Sequence, residues 1–311
     1  MVKLKSVVLP VWLSSLFLIS FAHAGEFSLY PNPQSRYVGM GSAYVASIGG
    51  PAALLCNPAG LIGEHKYSIA FNIGNSSDYN EQFIAGGFQL GSSWAIGLGV
   101  HRLSLESQDG DSVGLLAGVA SELIEEELTV GGTVQGFINA HSVKGVRISL
   151  GMQYTPWAVM TIGTFVASRG VFENDAGTKI KIPYHAKTGV QLRPFSWISV
   201  NIDAELARKN KQREDGELVR VNYGFEWKIP IEMVSSALSE KIRLYARGGS
   251  RSGIVEAKEK GSFYTWKRPW EENGLSLGFG AAFSLFRNPT MIDVASDEYS
   301  RLFISLQTSV N

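Results

Sequence analysis

The chain has 311 residues, with 28 basic and 28 acidic side chains and 34 glycines. This even charge balance argues against a nucleic-acid-binding surface, so nucleic acid is not expected as a partner. The single cysteine, Cys56, cannot form an internal disulfide, and its apolar neighbours predict a small buried side chain rather than a reactive thiol.

The first 24 residues have the pattern of a secretory signal peptide. Two early lysines give a positive start, an apolar stretch follows over 6–21, and Ala22-His23-Ala24 supplies the small-x-small cleavage pattern. Pro10 and the cleavage pattern argue against a membrane anchor, which needs about 20 apolar residues. We therefore expect residues 1–24 to be removed during export.

Residues 25–64 precede the first predicted strand and are rich in glycine, proline and small apolar residues. Pro51 suits the first turn of a short helix. Asn57 precedes Pro58, and a residue before proline avoids helical geometry, so a turn is expected there. Because the segment is too apolar to be solvated, we expect it to form a plug, or hatch, inside a wide barrel.

Residues 65–311 are predicted to form a transmembrane, antiparallel, up-and-down β-barrel, because apolar and polar residues alternate along most of this range. Tight turns and long polar loops also alternate between the predicted strands, as expected for such a barrel. The candidate strands are 67–73, 82–90, 94–103, 112–121, 127–138, 146–155, 158–168, 184–193, 198–206, 219–228, 240–249, 275–285 and 299–309.

The number of strands must be even if the chain enters and leaves the barrel on the same side. We expect fourteen strands, with twelve as the alternative, so one of the thirteen candidates is false or one strand is missing. Segment 112–121 is the weakest candidate. Segment 261–267, inside the longest loop, is a candidate addition.

The apolar face is expected to meet lipid, which makes outer-membrane lipid a partner. A barrel of this size is too wide for side chains to fill. The predicted strand ends also carry aromatic side chains, which are typical of a membrane interface: Trp94, Tyr154, Trp157, Tyr184, Trp197 and Trp227. A soluble periplasmic β-sandwich or barrel is the alternative. If the barrel lies in a membrane, Ile148 faces lipid and Ser149 faces the lumen.

Residues 38–61 resemble the N-terminal signature of the FadL-like outer-membrane proteins, including the PorV/PorQ-type branch. Two motifs carry the resemblance: Gly39, Met40, Gly41 and Ala43, and then Asn57, Pro58, Ala59 and Gly60. The resemblance implies a fourteen-stranded outer-membrane barrel with an N-terminal hatch. It also implies passive transport of hydrophobic, fatty-acid-like small molecules without a cofactor. In the secretion branch, it implies a partner-binding accessory instead.

No catalytic residue and no metal site is predicted. His101 and His185 fall on polar strand faces, which indicates lumen side chains rather than catalysis, and a Ser104–His101 pair has no evident third group. Six charged side chains are predicted to lie in the lumen, either as ion pairs across it or along a substrate path: Arg147, Lys187, Asp203, Glu205, Arg220 and Glu226.

Three functions remain open from the sequence. The first is hydrophobic transport, with the hatch pivoting at Asn57-Pro58-Ala59. The second is a secretion accessory that docks a secreted protein through loop 250–273, which bears Phe263, Tyr264, Trp266 and Trp270. The third is an enzyme, which would lose a measured hydrolysis on His101→Ala.

Overall fold

A computed structural model describes residues 34–310, apart from 64, 77–78, 106–110, 140–143, 169, 174–178, 183–184, 209–216, 232–240, 257–264, 267–274 and 298–300. The proposed signal peptide, residues 1–24, and the first part of the proposed hatch lie outside the described residues. The boundaries of these two segments therefore stay predictions.

Long antiparallel strands make up most of the described chain. In chain order the strands are β1 (Tyr67–Ser76), β2 (Tyr79–Leu90), β3 (Trp94–Leu105), β4 (Asp111–Ile124), β5 (Leu128–Asn139), β6 (Lys144–Trp157), β7 (Met160–Ala167), β8 (Gly170–Glu173), β9 (Lys179–Ile182), β10 (His185–Phe195), β11 (Ile198–Arg208), β12 (Glu217–Ile229), β13 (Ile242–Glu256), β14 (Thr265–Trp266), β15 (Leu275–Leu285), β16 (Asn288–Ser296) and β17 (Leu302–Val310).

Fourteen of these strands form a closed ring in which each pairs with the next along the chain. The ring closes where β1 pairs with β17, from Tyr67 opposite Val310 to Asn75 opposite Leu302. The three short strands extend the wall at its loop end: β8 and β9 pair with each other and continue the β7–β10 hairpin, and β14 pairs with the end of β13. The fourteen-stranded prediction is confirmed, and the twelve-stranded alternative is wrong.

The strand that the sequence pattern missed is β16. Pro289 stands near its start and Asp293 at its centre, so only Ile292 and Val294 mark an apolar face, and this is too short a pattern to recognise. The weakest candidate, 112–121, is a real barrel strand, β4. Within candidate 261–267, the described residues contribute only Thr265–Trp266, which lies beside β13 and outside the ring.

Apolar side chains cover the outside of the barrel and polar ones face inward. Ile148 is 51% exposed whereas its neighbour Ser149 is 6% exposed, and Asn201 and Asn222 are buried. The outer belt includes Ile69, Leu98, Leu115, Leu150, Phe225 and Phe279, all exposed. An apolar surface this extensive is the lipid-facing band of a transmembrane barrel rather than the surface of a soluble one.

Tight turns connect the strands at one end of the barrel, which we call the turn end. In the β15–β16 turn, Phe286 and Arg287 both have positive φ, of 51° and 69°, as a two-residue hairpin turn requires. Exposed tryptophans gather at the turn end: Trp94, Trp157, Trp197 and Trp227. The girdle prediction is wrong for Tyr154, which is buried just before a register shift in the β6–β7 pairing. Tyr184 lies outside the described residues.

Short helices precede the first strand. They are α1 (Ser35–Gly39) and two 3₁₀ helices, Pro51–Leu55 and Pro58–Leu61. None of the described helices has the length and apolar character needed to cross a membrane.

Candidate functional site

Residues 34–62, called the plug below, lie inside the barrel. Plug side chains such as Tyr37, Val45 and Leu54 are buried, and they pack against inward-facing wall residues that include Phe83 and Phe165. A barrel of fourteen strands is too wide for wall side chains alone to fill. The plug supplies the missing core at this level of the lumen.

The local sequence explains the compact shape of the plug. Pro51 and Pro58 each begin a 3₁₀ helix, where the missing amide proton of proline has no consequence. Gly50, with φ of 74°, provides the turn before the first of these helices, and its amide donates to the Gly60 carbonyl at 2.8 Å. This bond draws the two ends of the 50–60 segment together.

Glycines form the barrel wall where the plug packs closely against it. A methyl group would lie within 3 Å of plug atoms at Gly97, Gly118, Gly131, Gly151, Gly163, Gly224 and Gly249, and 3.1 Å from Gly39 of the plug at Gly278. We call these residues the glycine belt. Two plug residues from the first sequence motif lie directly on it: Gly39 lies against Gly278, and Met40 lies against Gly249. The contact is close enough to leave no passage there.

Asn57 joins the plug to the wall. Its Nδ2 donates to the Val45 carbonyl at 2.8 Å and to the Met152 carbonyl of β6 at 3.1 Å, while its Oδ1 accepts from the Ala59 amide at 3.3 Å. Pro58 then lies against Gly131. The second sequence motif therefore places its polar side chain at a buried attachment point, which is the property that a pivot needs.

A first ionic contact holds the turn at residues 42–45. Asp203 Oδ2 accepts from the amides of Tyr44 at 2.6 Å and Val45 at 3.0 Å. Lys187 Nζ donates to the Ser42 carbonyl at 2.7 Å and lies 3.9 Å from the centre of the Tyr44 ring. Both charged side chains are buried, so removing either takes hydrogen bonds away from polar groups of the plug.

A second ionic contact holds α1. Arg36 donates to both carboxylate oxygens of Glu226, from Nε at 2.9 Å and from Nη2 at 2.7 Å. Arg247 donates to Glu226 Oε2 at 2.7 Å and to Asp293 Oδ1 at 2.6 Å. Burial alone would lower the pKa of Arg36, but the Glu226 carboxylate outweighs it and the pKa is raised. Arg36 therefore stays charged.

Five of the six charged side chains predicted for the lumen are buried inside it, namely Arg147, Lys187, Asp203, Glu205 and Glu226. The backbone of Arg220 lies opposite Glu205, but its side chain is outside the described residues. These side chains contact different parts of the plug: Lys187 and Asp203 bind the turn at residues 42–45, whereas Glu226 binds α1.

Arg36 and Asp293, which complete the second contact, were not predicted from the sequence. The alternating pattern that identified the other lumen charges could not find either of them, since Arg36 precedes the strands and Asp293 lies in the strand that was missed.

The two lumen histidines each bind a carboxylate. His101 Nε2 lies 2.8 Å from Glu81 Oε1, and His185 Nε2 lies 3.0 Å from Glu205 Oε1. Each imidazole also meets a phenylalanine ring edge to face. Among the described residues, no group of three or more histidine, cysteine or acidic side chains has a metal-binding arrangement.

Cys56 lies deep in the plug. Burial raises the pKa of its thiol to about 12, although the hydrogen bond with Tyr44 acts in the opposite direction. Burial also raises the pKa of Tyr44 well above its usual value, and the proximity of the Cys56 thiol adds to this effect. Both groups are neutral at physiological pH, as the sequence interpretation of Cys56 predicted.

A cavity of about 550 Å³ remains between the plug and the wall at the turn end. Plug residues, including Arg36 and Tyr37, form one side, and residues of β1, β2, β13, β15, β16 and β17 form the other. The glycine belt has no member on β1, β2, β16 or β17, and its members on β13 and β15, Gly249 and Gly278, lie farther from the turn end than the cavity residues of those two strands. The plug is thus tight against one part of the wall and separated from another.

Comparison of the whole structure with solved structures identifies the architecture. The CymD monoaromatic hydrocarbon channel matches with a TM-score of 0.58 and 11% identity, over 89% of this chain and 97% of that one. The Pseudomonas putida toluene transporter TodX matches with a TM-score of 0.56 and 11% identity, over 91% and 100%. A Pseudomonas aeruginosa FadL homologue matches with a TM-score of 0.54 and 9% identity, over 89% and 98%.

The chain has the FadL-like barrel fold. No protein-family model matches the sequence, and no curated protein matches it significantly. The resemblance in the two N-terminal motifs is therefore confirmed at the level of the fold, by structures whose sequences are only 9–11% identical to this one.

The FadL-like barrel lies in the bacterial outer membrane, the location of barrels with this apolar outer band. Short turns of such barrels face the periplasm, so the cavity beside the plug opens toward that side. Of the predicted docking loop, Phe263, Tyr264 and Trp270 lie outside the described residues, as does the side chain of Trp266. The interaction with a secreted protein stays a prediction.

Proposed function

We propose that this protein conducts hydrophobic small molecules passively across the outer membrane, with the plug as its hatch. The observation that best supports this proposal is that the plug contacts the wall unevenly. It packs closely on the glycine belt, and the cavity separates it from the wall at the turn end. The CymD and TodX structures, which share the fold, are a monoaromatic hydrocarbon channel and a toluene transporter. Movement down a gradient needs neither a cofactor nor an energy source.

Opening requires part of the plug to move, because no passage exists along the belt. The Asn57 region is the proposed pivot, since its side chain bonds both to the plug and to the wall. The moving part is α1, which borders the cavity and is held by polar side-chain contacts: Arg36 with Glu226, Gln34 with Gln307 at 3.0 Å, and Ser35 with Asn72 at 3.3 Å. Displacing α1 extends the cavity toward the lumen above it.

Cross-linking α1 to the wall tests this proposal. In a Cys56→Ala background, Gln34→Cys and Gln307→Cys place thiols on two side chains that are in contact. A short bifunctional thiol reagent, cleavable by dithiothreitol, is expected to abolish uptake of radiolabelled toluene and octanoate by cells that produce the protein. Cleavage of the cross-link is expected to restore uptake.

The matched control ties two wall strands together without touching the plug. Thr155 Oγ1 and Thr161 Oγ1 lie 3.2 Å apart on β6 and β7, outside the cavity, so Thr155→Cys with Thr161→Cys gives a cross-link at the same end of the barrel. Uptake through this variant should be unchanged by the reagent. If producing cells take up neither probe faster than cells without the protein, transport is rejected. If cross-linked α1 leaves uptake intact, the hatch is rejected.

A further inference from the structure

The cavity at the turn end, called the periplasmic cavity below, is bounded on the wall side by six neighbouring strands: β13, β15, β16, β17, β1 and β2. Tyr37 and Leu61 of the plug form part of the opposite side. The six strands are paired without a gap, so the wall separates the cavity from the bilayer. With the plug in place, a ligand therefore enters this cavity from the periplasmic solution rather than from the membrane.

The alternation of side chains along each strand determines which lining residues point into the periplasmic cavity. On β13, Arg243 is on the same face as Arg247, whose side chain is buried in the lumen. Ile242 is on the opposite face, together with its register partner Phe283 on β15, and Phe88 of β2 is exposed on the outside of the barrel. These three apolar side chains border the cavity but face lipid, so they do not form its inward surface.

The inward surface of the wall is mostly polar. Its hydroxyl and amide side chains are Ser68, Ser284, Gln307 and Ser309. Ser68 and Ser309 are register partners across β1 and β17, where the barrel closes. Ala282 and Met291 also belong to this surface. Hydroxyl and amide groups favour a ligand that has hydroxyl groups of its own, because each polar group that the ligand covers then keeps a hydrogen-bond partner.

Two cations lie at the edge of this polar surface. Lys241 immediately precedes β13 and Arg243 is its second residue, and both side chains are exposed. Within the described residues, neither of them forms an ion pair, whereas Arg36 of the plug is already paired with Glu226. No acidic side chain is among the described residues that line the periplasmic cavity. The charge of Lys241 and Arg243 is therefore available to a ligand.

Neighbouring arginine and lysine side chains are well suited to bind a phosphate group. A guanidinium donates two parallel hydrogen bonds to one phosphate, and an ammonium adds a compact charge. A phosphate monoester carries about −1.5 to −2 charges at pH 7. The cavity volume of about 550 Å³ is within the range of about 300–1,000 Å³ for small-molecule sites. This volume leaves room for a polar group attached to the phosphate.

We infer that the periplasmic cavity binds a hydrophilic phosphate monoester of the size of a sugar phosphate. The phosphate group lies at Lys241 and Arg243, and the hydroxyl groups of the ligand bind Ser284, Gln307 and Ser309. A neutral sugar gains nothing from the two cations, and inorganic phosphate leaves the serine and glutamine side chains uncovered. This class of ligand differs from the hydrophobic molecules of the proposed function, so the inference goes beyond that function.

Isothermal titration of the refolded full-length barrel in a non-ionic detergent tests the inference, with glucose 6-phosphate, glucose and inorganic phosphate as ligands. All titrations are made at one ionic strength, because salt screens exposed cations. Glucose 6-phosphate is expected to bind at least tenfold more tightly than glucose, and at least threefold more tightly than inorganic phosphate. Equal binding of glucose 6-phosphate and either of the other two would overturn the inference.

Two double variants separate the phosphate part of the site from the hydroxyl part. Lys241→Gln/Arg243→Gln is expected to lose at least tenfold in affinity for glucose 6-phosphate and to lose phosphate binding too. Ser284→Ala/Ser309→Ala is expected to lose at least threefold for glucose 6-phosphate and to bind inorganic phosphate like the wild type. Undiminished binding of glucose 6-phosphate by either double variant would overturn the inference.

Arg193→Gln is the matched control, since Arg193 is also an exposed cation near the turn end of a strand, on β10 outside the cavity. This variant should bind glucose 6-phosphate like the wild type, and a loss as large as that of Lys241→Gln/Arg243→Gln would reduce the effect to net charge and overturn the site. Heat-dependent gel migration confirms that each variant is folded.

Competition distinguishes a soluble phosphate ester from a lipid head group, which has the same phosphate chemistry. Dihexanoyl phosphatidylglycerol, used below its micelle concentration, is expected to displace glucose 6-phosphate poorly, because the wall holds the cavity apart from the bilayer. Displacement as effective as that by unlabelled glucose 6-phosphate would assign the cavity to lipid and overturn the inference. None of these measurements requires transport, so their failure leaves the proposed function in place, and failed uptake of toluene and octanoate leaves the binding site in place.

Discussion

Gly248 and Gly249 are neighbours on β13 that test how closely the plug fits the wall. A methyl group on Gly249 would collide with the Met40 backbone, whereas one on Gly248 would meet no atom within 4 Å. Gly249→Ala is expected to destabilise the plugged barrel by about 1–3 kcal/mol, as overpacking does. Gly248→Ala should change stability by less than about 0.5 kcal/mol. Urea titration in lipid vesicles, followed by gel migration, measures both, and equal effects would contradict the fit.

Asp203 is a buried hydrogen-bond acceptor, and two substitutions separate the effect of its charge from the effect of its hydrogen bonds. Asp203→Ala leaves the amides of Tyr44 and Val45 without their acceptor, and it removes one of the two carboxylates near Lys187, the other being Glu205 at 3.6 Å. A loss of about 3–5 kcal/mol is expected, as for a buried pair with one partner removed. Asp203→Asn keeps one acceptor oxygen and should lose less. Protease cleavage at the turn of residues 42–45 should be faster in Asp203→Ala than in Asp203→Asn. If the turn of Asp203→Ala resists cleavage, the prediction is wrong.

Cys56 provides a chemical signal of plug movement. Its pKa is raised to about 12 by burial, so the thiol stays protonated and unreactive at pH 8, and alkylation by iodoacetamide is expected only after the plug leaves its seat. The raised pKa favours the folded state fully below the ordinary thiol pKa of about 8.5. This contribution is lost as pH rises through about 12. Alkylation of the native protein as fast as of the urea-unfolded protein would contradict this.

At the scale of elements, the stability of α1 in the plug depends on the contacts of one charged side chain, because the helix itself is short. A helix of five residues is not stable alone, and Arg36 adds two charge-assisted bonds to Glu226, each of which contributes about 1.5–3 kcal/mol. Arg36→Ala is expected to raise the Cys56 alkylation rate by at least tenfold. Arg193→Ala, on β10 and outside the cavity, should leave the rate unchanged. Equal rates in the two variants would remove α1 from the opening step.

The strands could be predicted from the sequence wherever one face was consistently apolar and the other consistently polar. Ile148 and Ser149 show this on β6, where alternation gave the correct lipid and lumen faces. The pattern failed on β16 because only Ile292 and Val294 mark its lipid face. The inward Asp293 belongs to an ion pair with Arg247 that only the folded barrel forms. Pairings of this kind involve residues far apart in sequence, and a local periodicity carries no information about them.

At the scale of the whole molecule, the sequence indicated a plugged barrel but not how the plug fits. The motifs at 39–41 and 57–60 identified the segment that enters the lumen. The glycine belt is spread over eight strands, and each belt glycine looks like any other strand glycine in the sequence. The cavity at the turn end likewise combines Arg36 with Lys241 and Arg243, which are brought together only when the ring closes.

If the barrel spans a bilayer, the free-energy cost of an outward-facing charge depends on its depth in the membrane, which would not hold for a water-soluble barrel. Leu98 is an exposed side chain near the middle of β3, and Leu90 is an exposed side chain at the turn end of β2. Leu98→Arg is expected to cost about 2–4 kcal/mol in a bilayer because it places a charge near the midplane, whereas Leu90→Arg near the interface should cost about 0–1 kcal/mol. Urea unfolding in phosphatidylcholine vesicles measures the difference. In a non-ionic detergent micelle, which has no fixed midplane, the difference is expected to shrink. Equal costs at the two positions in the bilayer would mean that Leu98 does not face acyl chains, and the transmembrane orientation of the barrel would then be wrong.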